Sequence, residues 1–283
     1  MNIRRGLGTF AVVMCAPLHG FASGHGPMFG MTTPTNGAGK WTVDFGGMGR
    51  VGTTDDTSTF RTMVSRGITE DVQLSVSVPV VFADAPLAAG RMTGMMPGGG
   101  DFEGIGAWRF HRQGTGIGTR FESTAYGSVI VPGIQKPAGM AGTFKRAPGA
   151  YMGIATGVAS RSHYVWGGMG FTRFLERNSD RRPDVLSYSA VWGYRPSRWR
   201  KDYPHWDWRL FAELTGENSS SLLHNGEPMA GTNAHQVFIG PSVLGIYRNS
   251  AVQGGVQLPV YRRLGSRVER EALRYAFNFS HFF

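Results

Sequence analysis

The sequence is nearly free of cysteine, since Cys15 is the only one among 283 residues. Cys15 lies in the apolar stretch Leu7 to Phe21, which follows Arg4 and Arg5. This order is typical of a secretory signal peptide, which we expect to span residues 1–22. The mature chain would then contain no thiol, which excludes disulfides, thiolate metal sites and cysteine nucleophiles and suits an oxidising periplasm.

Long apolar runs and lysine are also scarce. Beyond the first residues no run of about 18 apolar residues occurs, so we expect no transmembrane helix. Lysine occurs only at positions 40, 136, 145 and 201, so arginine carries most of the formal charge of +10. No basic run or nucleic-acid motif accompanies this charge, and we expect no nucleic-acid partner. Anionic sugars of an outer leaflet, or a cationic pore interior, match it better.

Glycine, by contrast, is abundant, with 42 residues scattered along the chain without a fixed period. Glycine costs about 1 kcal/mol in a helix interior, whereas a curved sheet uses it for turns, bulges and close strand approach. The composition therefore favours an all-β fold over a helical one.

Apolar and polar residues alternate with period two in many short segments. In the clearest segment the even positions from Val72 to Phe82 are apolar, and Gln73, Ser75 and Ser77 lie between them. Such alternation predicts a strand with one apolar face. We predict twelve strands, near residues 41–45, 60–64, 72–82, 102–111, 120–131, 148–160, 163–175, 184–195, 206–216, 236–247, 251–262 and 272–283.

The predicted connections alternate in length along the chain. The longer ones are 52–58, 83–101, 132–147, 176–183, 217–235 and 262–271, and the shorter ones are 67–71, 113–119, 160–163, 196–205 and 248–250. The basic segment 196–205 is long for the second group. An even strand number with alternating connections is typical of a bacterial barrel whose longer loops face outside and whose short turns are periplasmic. The expected fold is an all-β, up-and-down antiparallel transmembrane β-barrel of about 12 strands.

A soluble β-sandwich would show the same alternation, but two features favour a membrane barrel. The predicted inner face carries charges of both signs, as a wet or salt-bridged lumen requires, and tryptophans lie near strand ends or on the apolar face, as in interfacial girdles. The predicted lining residues are Arg61, Glu103, Arg109, Arg120, Glu122, Asp207, Arg209, Glu213 and Arg274. The predicted girdle residues are Trp41, Trp108, Trp166, Trp192, Trp206 and Trp208.

The last predicted strand places aromatic residues on one face and ends at the final residue. They are Tyr275, Phe277, Phe279 and Phe283. This pattern resembles the signal read by the outer-membrane barrel assembly machinery, from which His281 departs because that position is usually apolar. We therefore expect an outer-membrane protein that contacts lipid and this machinery. Residues 23–39 precede the barrel (40–283) as a periplasmic segment or an inward-folded plug.

Four segments resemble a known family in order and in sequence. They are residues 67–75 (Gly-Ile-Thr-Glu-Asp-Val-Gln-Leu-Ser) with Val78-Pro79, residues 193–196 (Gly-Tyr-Arg-Pro), residues 212–217 (Ala-Glu-Leu-Thr-Gly-Glu) and residues 254–261 (Gly-Gly-Val-Gln-Leu-Pro-Val-Tyr). With these segments, most of the mature chain is similar to the outer-membrane family named for the MetA pathway of phenol degradation, whose members are called transporters. The resemblance implies a membrane barrel and leaves the transported substrate unspecified.

The expected function is a pore or transporter for a small solute, anionic or aromatic, without a cofactor or catalytic activity. Arginine on the lumen face would attract anions, or would instead pair with carboxylates and brace a closed interior.

Two alternatives stay open. Thioethers at Met92, Met95 and Met96, with His25, have the chemistry of a Cu(I) site, although loop methionines also serve as apolar filler. A barrel phospholipase would need a serine and histidine pair, drawn from Ser123, Ser160, Ser187, Ser280, His111, His163 and His281, but the sequence contains no Gly-x-Ser-x-Gly elbow.

Overall fold

A computed structural model describes residues 26–52, 56–81, 101–133, 146–201 and 204–283. The strands in chain order are β1 (Trp41–Val51), β2 (Asp56–Gly67), β3 (Val72–Val81), β4 (Phe102–Gly116), β5 (Thr119–Val131), β6 (Gly149–Ala159), β7 (His163–Phe174), β8 (Val185–Tyr194), β9 (Asp207–Ser219), β10 (Leu223–His224), β11 (Glu227–Pro228), β12 (Ala234–Tyr247), β13 (Ser250–Leu264) and β14 (Leu273–Phe282). Within these ranges no helix is long and apolar enough to span a membrane.

Twelve of the strands form one closed antiparallel barrel, in which each strand pairs with its neighbours along the chain. The short strands β10 and β11 form a separate hairpin inside the connection from β9 to β12, so β12 pairs directly with β9. Closure occurs between β1 and β14, which are in register from Thr42 opposite Phe282 to Val51 opposite Leu273. Closure pairs the backbone groups that a sheet edge would leave exposed to lipid. The predicted fold class is confirmed.

The outer wall of the barrel is apolar because alternate side chains of each strand point outward. The exposed apolar residues include Leu74, Val76, Met152, Met169, Val256 and Phe277. A wall of this kind requires a hydrocarbon environment, since it would otherwise expose a large apolar surface to water. The closed barrel with its lipid-facing wall is located in the Gram-negative outer membrane.

The two ends of the barrel differ. We call the end at which Trp41 begins β1 the turn end, and the opposite end the loop end. At the turn end β4 and β5 continue past the predicted strand boundaries to a two-residue turn, Ile117-Gly118, where Gly118 has a φ of 71°. Glycine accepts this left-handed conformation without steric cost. The β3–β4 register ends at Trp108 whereas β4 and β5 stay paired to Gly116, so the hairpin projects beyond the neighbouring strand β3. The connection between β8 and β9 (195–206) remains long, as the sequence indicates.

The hairpin β10–β11 was not among the predicted elements. Its turn is Asn225-Gly226, and both residues have positive φ, 53° and 83°. An Asn-Gly pair is the usual signal for this type of tight hairpin turn. Asp180, in the connection between β7 and β8, accepts hydrogen bonds from the Asn225 N–H (3.2 Å) and contacts the His224 ring at 2.8 Å. The two loop-end connections therefore pack together.

Candidate functional site

The candidate site is the barrel interior, where the structure brings most of the predicted lining residues together. Arg61, Glu103, Arg109, Glu122, Asp207, Glu213 and Arg274 are buried, and Arg209 is half-buried. Arg120 differs, because it lies at the turn end with an exposed side chain. Alternation within each strand places all of them on the face opposite the lipid-facing residues.

Arg274 is the most enclosed charge at the loop end of the interior. Its guanidinium contacts Glu217 at 2.9 Å and Glu271 at 2.5 Å, and it lies 3.6 Å from the centre of the Phe238 ring. Arg50 reaches Glu271 at 3.3 Å. Arginine can bind two carboxylates with its planar donors, so this cluster joins β1, β9 and β14 with the connection that precedes β14.

A second cluster at the loop end surrounds Asp101, which lies just before β4. Its carboxylate accepts hydrogen bonds from Arg146 and Arg182, which come from two other connections, and from the Gly133 N–H at 3.2 Å. Burial would raise the pKa of the Asp101 carboxyl, but the charges of Arg182 and Arg146 outweigh burial and hold it below its ordinary value. Three loop-end connections are thus tied to one carboxylate over the lumen.

The loop-end clusters predict a loss of stability in acid. Burial opposes the charge of Glu271, but Arg274 and Arg50 lower its pKa from 4.5 to about 2. Because the folded pKa is the lower one, the contribution of Glu271 to stability is present above about pH 4.5 and is lost as the pH falls toward 2. We expect the temperature at which the barrel loses its folded gel mobility to fall across this window.

The matched variant for this measurement is Glu271→Gln. It cannot titrate, so its unfolding temperature should depend less on pH between 4.5 and 2 than that of the unmodified chain. Equal pH dependence in the two proteins would contradict the assignment of this effect to Glu271.

Arginines also surround one carboxylate at the turn end. Glu122 is buried, and Arg109, Arg112 and Arg120 approach the same carboxylate oxygen, Oε1, at 3.4, 3.8 and 3.1 Å. Arg109 additionally binds Asp71 at 2.8 Å. Here the side chains of neighbouring strands β4 and β5 meet across the hairpin.

The buried strand residues whose side chains are described carry no excess of arginine over carboxylate. Among strand residues whose side chains are described, the buried charges are four arginines (50, 61, 109 and 274) and six carboxylates (44, 103, 122, 207, 213 and 217). Of the two alternatives that the sequence leaves open, these buried charges favour arginines that pair with carboxylates over a cationic lining. Most of the other described arginines lie near the two barrel ends or in the connections.

Part of the interior is apolar, which corrects one prediction. Trp166 does not belong to the lipid-facing girdle, because it is buried inside the barrel with Tyr164, Val191 and Phe211. Its ring stacks on Tyr164 at 5.3 Å between ring centres. Since these residues face away from lipid, they form an apolar cluster on the inner side of the wall.

Residues 26–36, which we call the inner segment, lie inside the barrel. All of them are buried except Pro34, which is half-buried. The N–H groups of Met28, Phe29 and Gly30 donate to the carboxylate of Glu213 at 2.8, 2.7 and 2.6 Å, and Ser242 donates to the same group. Glu213 is fully buried, and these neutral donors satisfy the hydrogen-bonding capacity of its carboxyl oxygens.

The rest of the inner segment is bonded to strands on several sides of the wall. Met31 donates its N–H to Ser189 of β8 at 2.9 Å, and the Gly26 carbonyl accepts from Gln253 of β13 at 2.8 Å. The Thr33 hydroxyl donates to Glu122 of β5 at 3.2 Å and lies 3.1 Å from the Trp166 indole nitrogen of β7. Contacts with strands so far apart in the barrel mean that the segment crosses the lumen.

The predicted copper ligands Met92, Met95, Met96 and His25 lie outside the described residues. Met28 and Met31 are described, and both pack as apolar side chains in the interior. In the described ranges no group of three or more histidine, cysteine or carboxylate side chains is arranged to hold a metal ion.

Among the described residues, no hydrogen bond joins the ring of a histidine considered for a phospholipase to a serine considered with it. The ring of His111 contacts Phe121, the ring of His163 stacks on Tyr194, and Ser160 donates to the backbone carbonyl of His163. His281 instead lies 2.9 Å from the Ser250 hydroxyl, a residue that sequence reasoning did not include. Its pairing follows from the register of β13 with β14.

The aromatic residues proposed as an assembly signal lie on the outer wall of β14. Phe277, Phe279 and Phe283 are exposed and Tyr275 is half-buried. His281 shares this face and contacts the Phe283 ring at 4.7 Å between ring centres. Recognition by the assembly machinery stays a prediction.

Comparison with known proteins identifies the fold. No protein-family model and no curated protein sequence matches the chain. An outer-membrane channel from Pseudomonas putida F1 superposes with a TM-score of 0.61 at 10% identity, covering 89% of this chain and 97% of that one. The NanC porin superposes with a TM-score of 0.51 at 10% identity, covering 84% and 98%. At this identity the likeness establishes the outer-membrane barrel fold alone.

Proposed function

We propose that this protein is an outer-membrane channel for a small polar solute, closed by its own inner segment. The observation that carries the proposal is the binding of three consecutive N–H groups, from Met28 to Gly30, to the carboxylate of Glu213 inside the barrel. A barrel of twelve strands encloses enough space for either a narrow channel or a plug. Passage through this barrel then requires the inner segment to move.

The way in which the inner segment is held supports a movable gate. It belongs to no strand, and its described hydrogen bonds with the rest of the barrel include three that Glu213 accepts, one that Ser189 accepts and one that Gln253 donates. These bonds can be exchanged for bonds to water, so release costs much less than unfolding the barrel. Residues 37–40 connect the segment directly to β1, which keeps it near the turn end after release.

The charges of the interior and the family resemblance both bear on the class of solute. The paired charges of the interior favour polar solutes and do not by themselves select anions. The similarity of residues 67–75 and 254–261 to the phenol-degradation outer-membrane family supports a transporter, for which anionic and aromatic solutes are the candidates. The signal peptide (1–22) and the β14 assembly signal belong to the same proposal, as steps in reaching the outer membrane.

Planar bilayer recordings test the proposal. The full chain should show rare openings, whereas a chain lacking residues 27–36 should conduct steadily, because its lumen is no longer crossed by the segment. The heat-dependent gel mobility of both proteins reports whether the barrel has formed. Folded barrels that conduct in neither form would refute a channel, and equal conductance in both forms would refute the gate.

A further inference from the structure

At the turn-end mouth of the barrel, several guanidinium groups share the same carboxylate, which cannot bind all of them with good geometry. Arg109, Arg112 and Arg120 all approach Oε1 of Glu122, and the closest contacts of Arg112 and Arg120 are made through Nε alone. Guanidinium binds carboxylate best through two parallel N–H groups, so neither contact has the preferred geometry. Like charges gathered at one oxygen also repel one another.

The donors that Glu122 leaves unused face the solvent. Asp71 and the Glu70 carbonyl supply further partners for Arg109. The side chains of Arg112 and Arg120, in contrast, are 52% and 45% exposed. They lie on the inward side of the projecting β4–β5 hairpin, where Arg112 is opposite Glu122 and Arg120 is opposite Gly114. Gly114 leaves open space beside Arg120, since nothing lies within 4 Å of where its Cβ would be.

The geometry points to a binding site for a small oxyanion, a carboxylate or a phosphate, held between Arg112 and Arg120 at the turn-end mouth. The bound oxyanion accepts bidentate hydrogen bonds from Arg112 and Arg120, which Glu122 cannot accept from both at once. Its negative charge also reduces the repulsion among the three guanidinium groups. The exposure of the two arginines gives it direct access from the side that the connection lengths assign to the periplasm.

The site also contacts the gate. The other oxygen of Glu122, Oε2, accepts the hydroxyl of Thr33 in the inner segment at 3.2 Å. An anion that draws Arg112 and Arg120 away from Glu122 alters the charge around the hydrogen bond between Thr33 and Glu122. This link to solute passage rests on the proposed channel, whereas binding of the anion does not.

Calorimetric titration of the full chain in detergent tests binding with two probes, sodium acetate and inorganic phosphate, at constant ionic strength. The double variant Arg112→Gln with Arg120→Gln should bind at least tenfold more weakly. The matched control is Arg198→Gln with Arg200→Gln, two exposed arginines in the long connection at the same end, and its affinity should stay within twofold. Binding of only one probe assigns the site to that class of anion.

Three outcomes would overturn the site: no binding of either anion, unchanged binding in the Arg112 and Arg120 variant, or an equal loss in the control. The last would mean that the whole basic rim attracts anions without a defined position. Conductance separates this inference from the proposed function. A barrel that binds acetate or phosphate but never conducts would support the anion site and refute the channel. A barrel that conducts but binds neither anion would refute only the anion site.

Discussion

Replacing Glu213 with alanine is expected to open the barrel. The substitution leaves the N–H groups of Met28, Phe29 and Gly30, and the hydroxyl of Ser242, without their shared acceptor. A hydrogen bond typically contributes about 0.5–1.5 kcal/mol net, so the loss of several of them shifts the inner segment toward the released state. We expect the open probability in planar bilayers to rise at least tenfold.

The matched control is Thr215→Ala. Thr215 faces inward on the same strand, and its hydroxyl donates to Gln257 at 3.0 Å, away from the inner segment. This variant should open no more often than the unmodified chain. Protease cleavage within residues 26–36 gives an independent reading, since release exposes the segment in Glu213→Ala alone. A Glu213→Ala barrel that folds normally and stays as closed as the control would contradict the gate.

Replacing Arg274 with alanine is expected to destabilise the barrel strongly without opening it. The change leaves Glu217 without its arginine and leaves Glu271 with Arg50 alone. Removing one partner of a buried ion pair typically costs about 3–5 kcal/mol, because the remaining charge is buried and unpaired. The folded gel mobility should disappear at a clearly lower temperature, and the urea midpoint in detergent should fall.

Two comparisons sharpen this measurement. Arg270→Ala removes an exposed arginine from the same connection and should change stability by less than about 0.5 kcal/mol. The double variant Arg274→Met with Glu217→Gln removes both charges of one ion pair and leaves the Arg50–Glu271 pair in place, so it should recover much of the loss. If Arg274→Ala is as stable as Arg270→Ala, the ion pairs at the loop end do not brace the barrel.

Much of the barrel could be predicted from the sequence because strand alternation is a local property. The period from Val72 to Phe82 indicates which side chains face lipid, whatever strand lies beside them. The same reasoning placed the aromatic residues of β14 outside and Arg274 inside. The Asn225-Gly226 pair is a recognised local signal for a tight hairpin, but the length of the surrounding connection, 217–235, predicts a loop.

Trp166 shows where this reasoning fails. Tyr164 and Trp166 alternate with Val165, so both faces of this part of β7 are apolar. Hydrophobicity then does not distinguish the lipid from a packed interior. The side was decided by neighbouring strands, which place Val191 and Phe211 against the tryptophan inside the barrel.

The sequence by itself determined the number of barrel strands and the alternation of polar and apolar positions along most of them, because these depend on residues adjacent in the chain. Only the tertiary structure decided which charges meet. Arg274 pairs with Glu217, and Glu213 holds the inner segment, although 57 and more than 180 residues separate these partners. Such contacts depend on register and closure, which bring distant strands together around one lumen, and no local pattern encodes that neighbourhood.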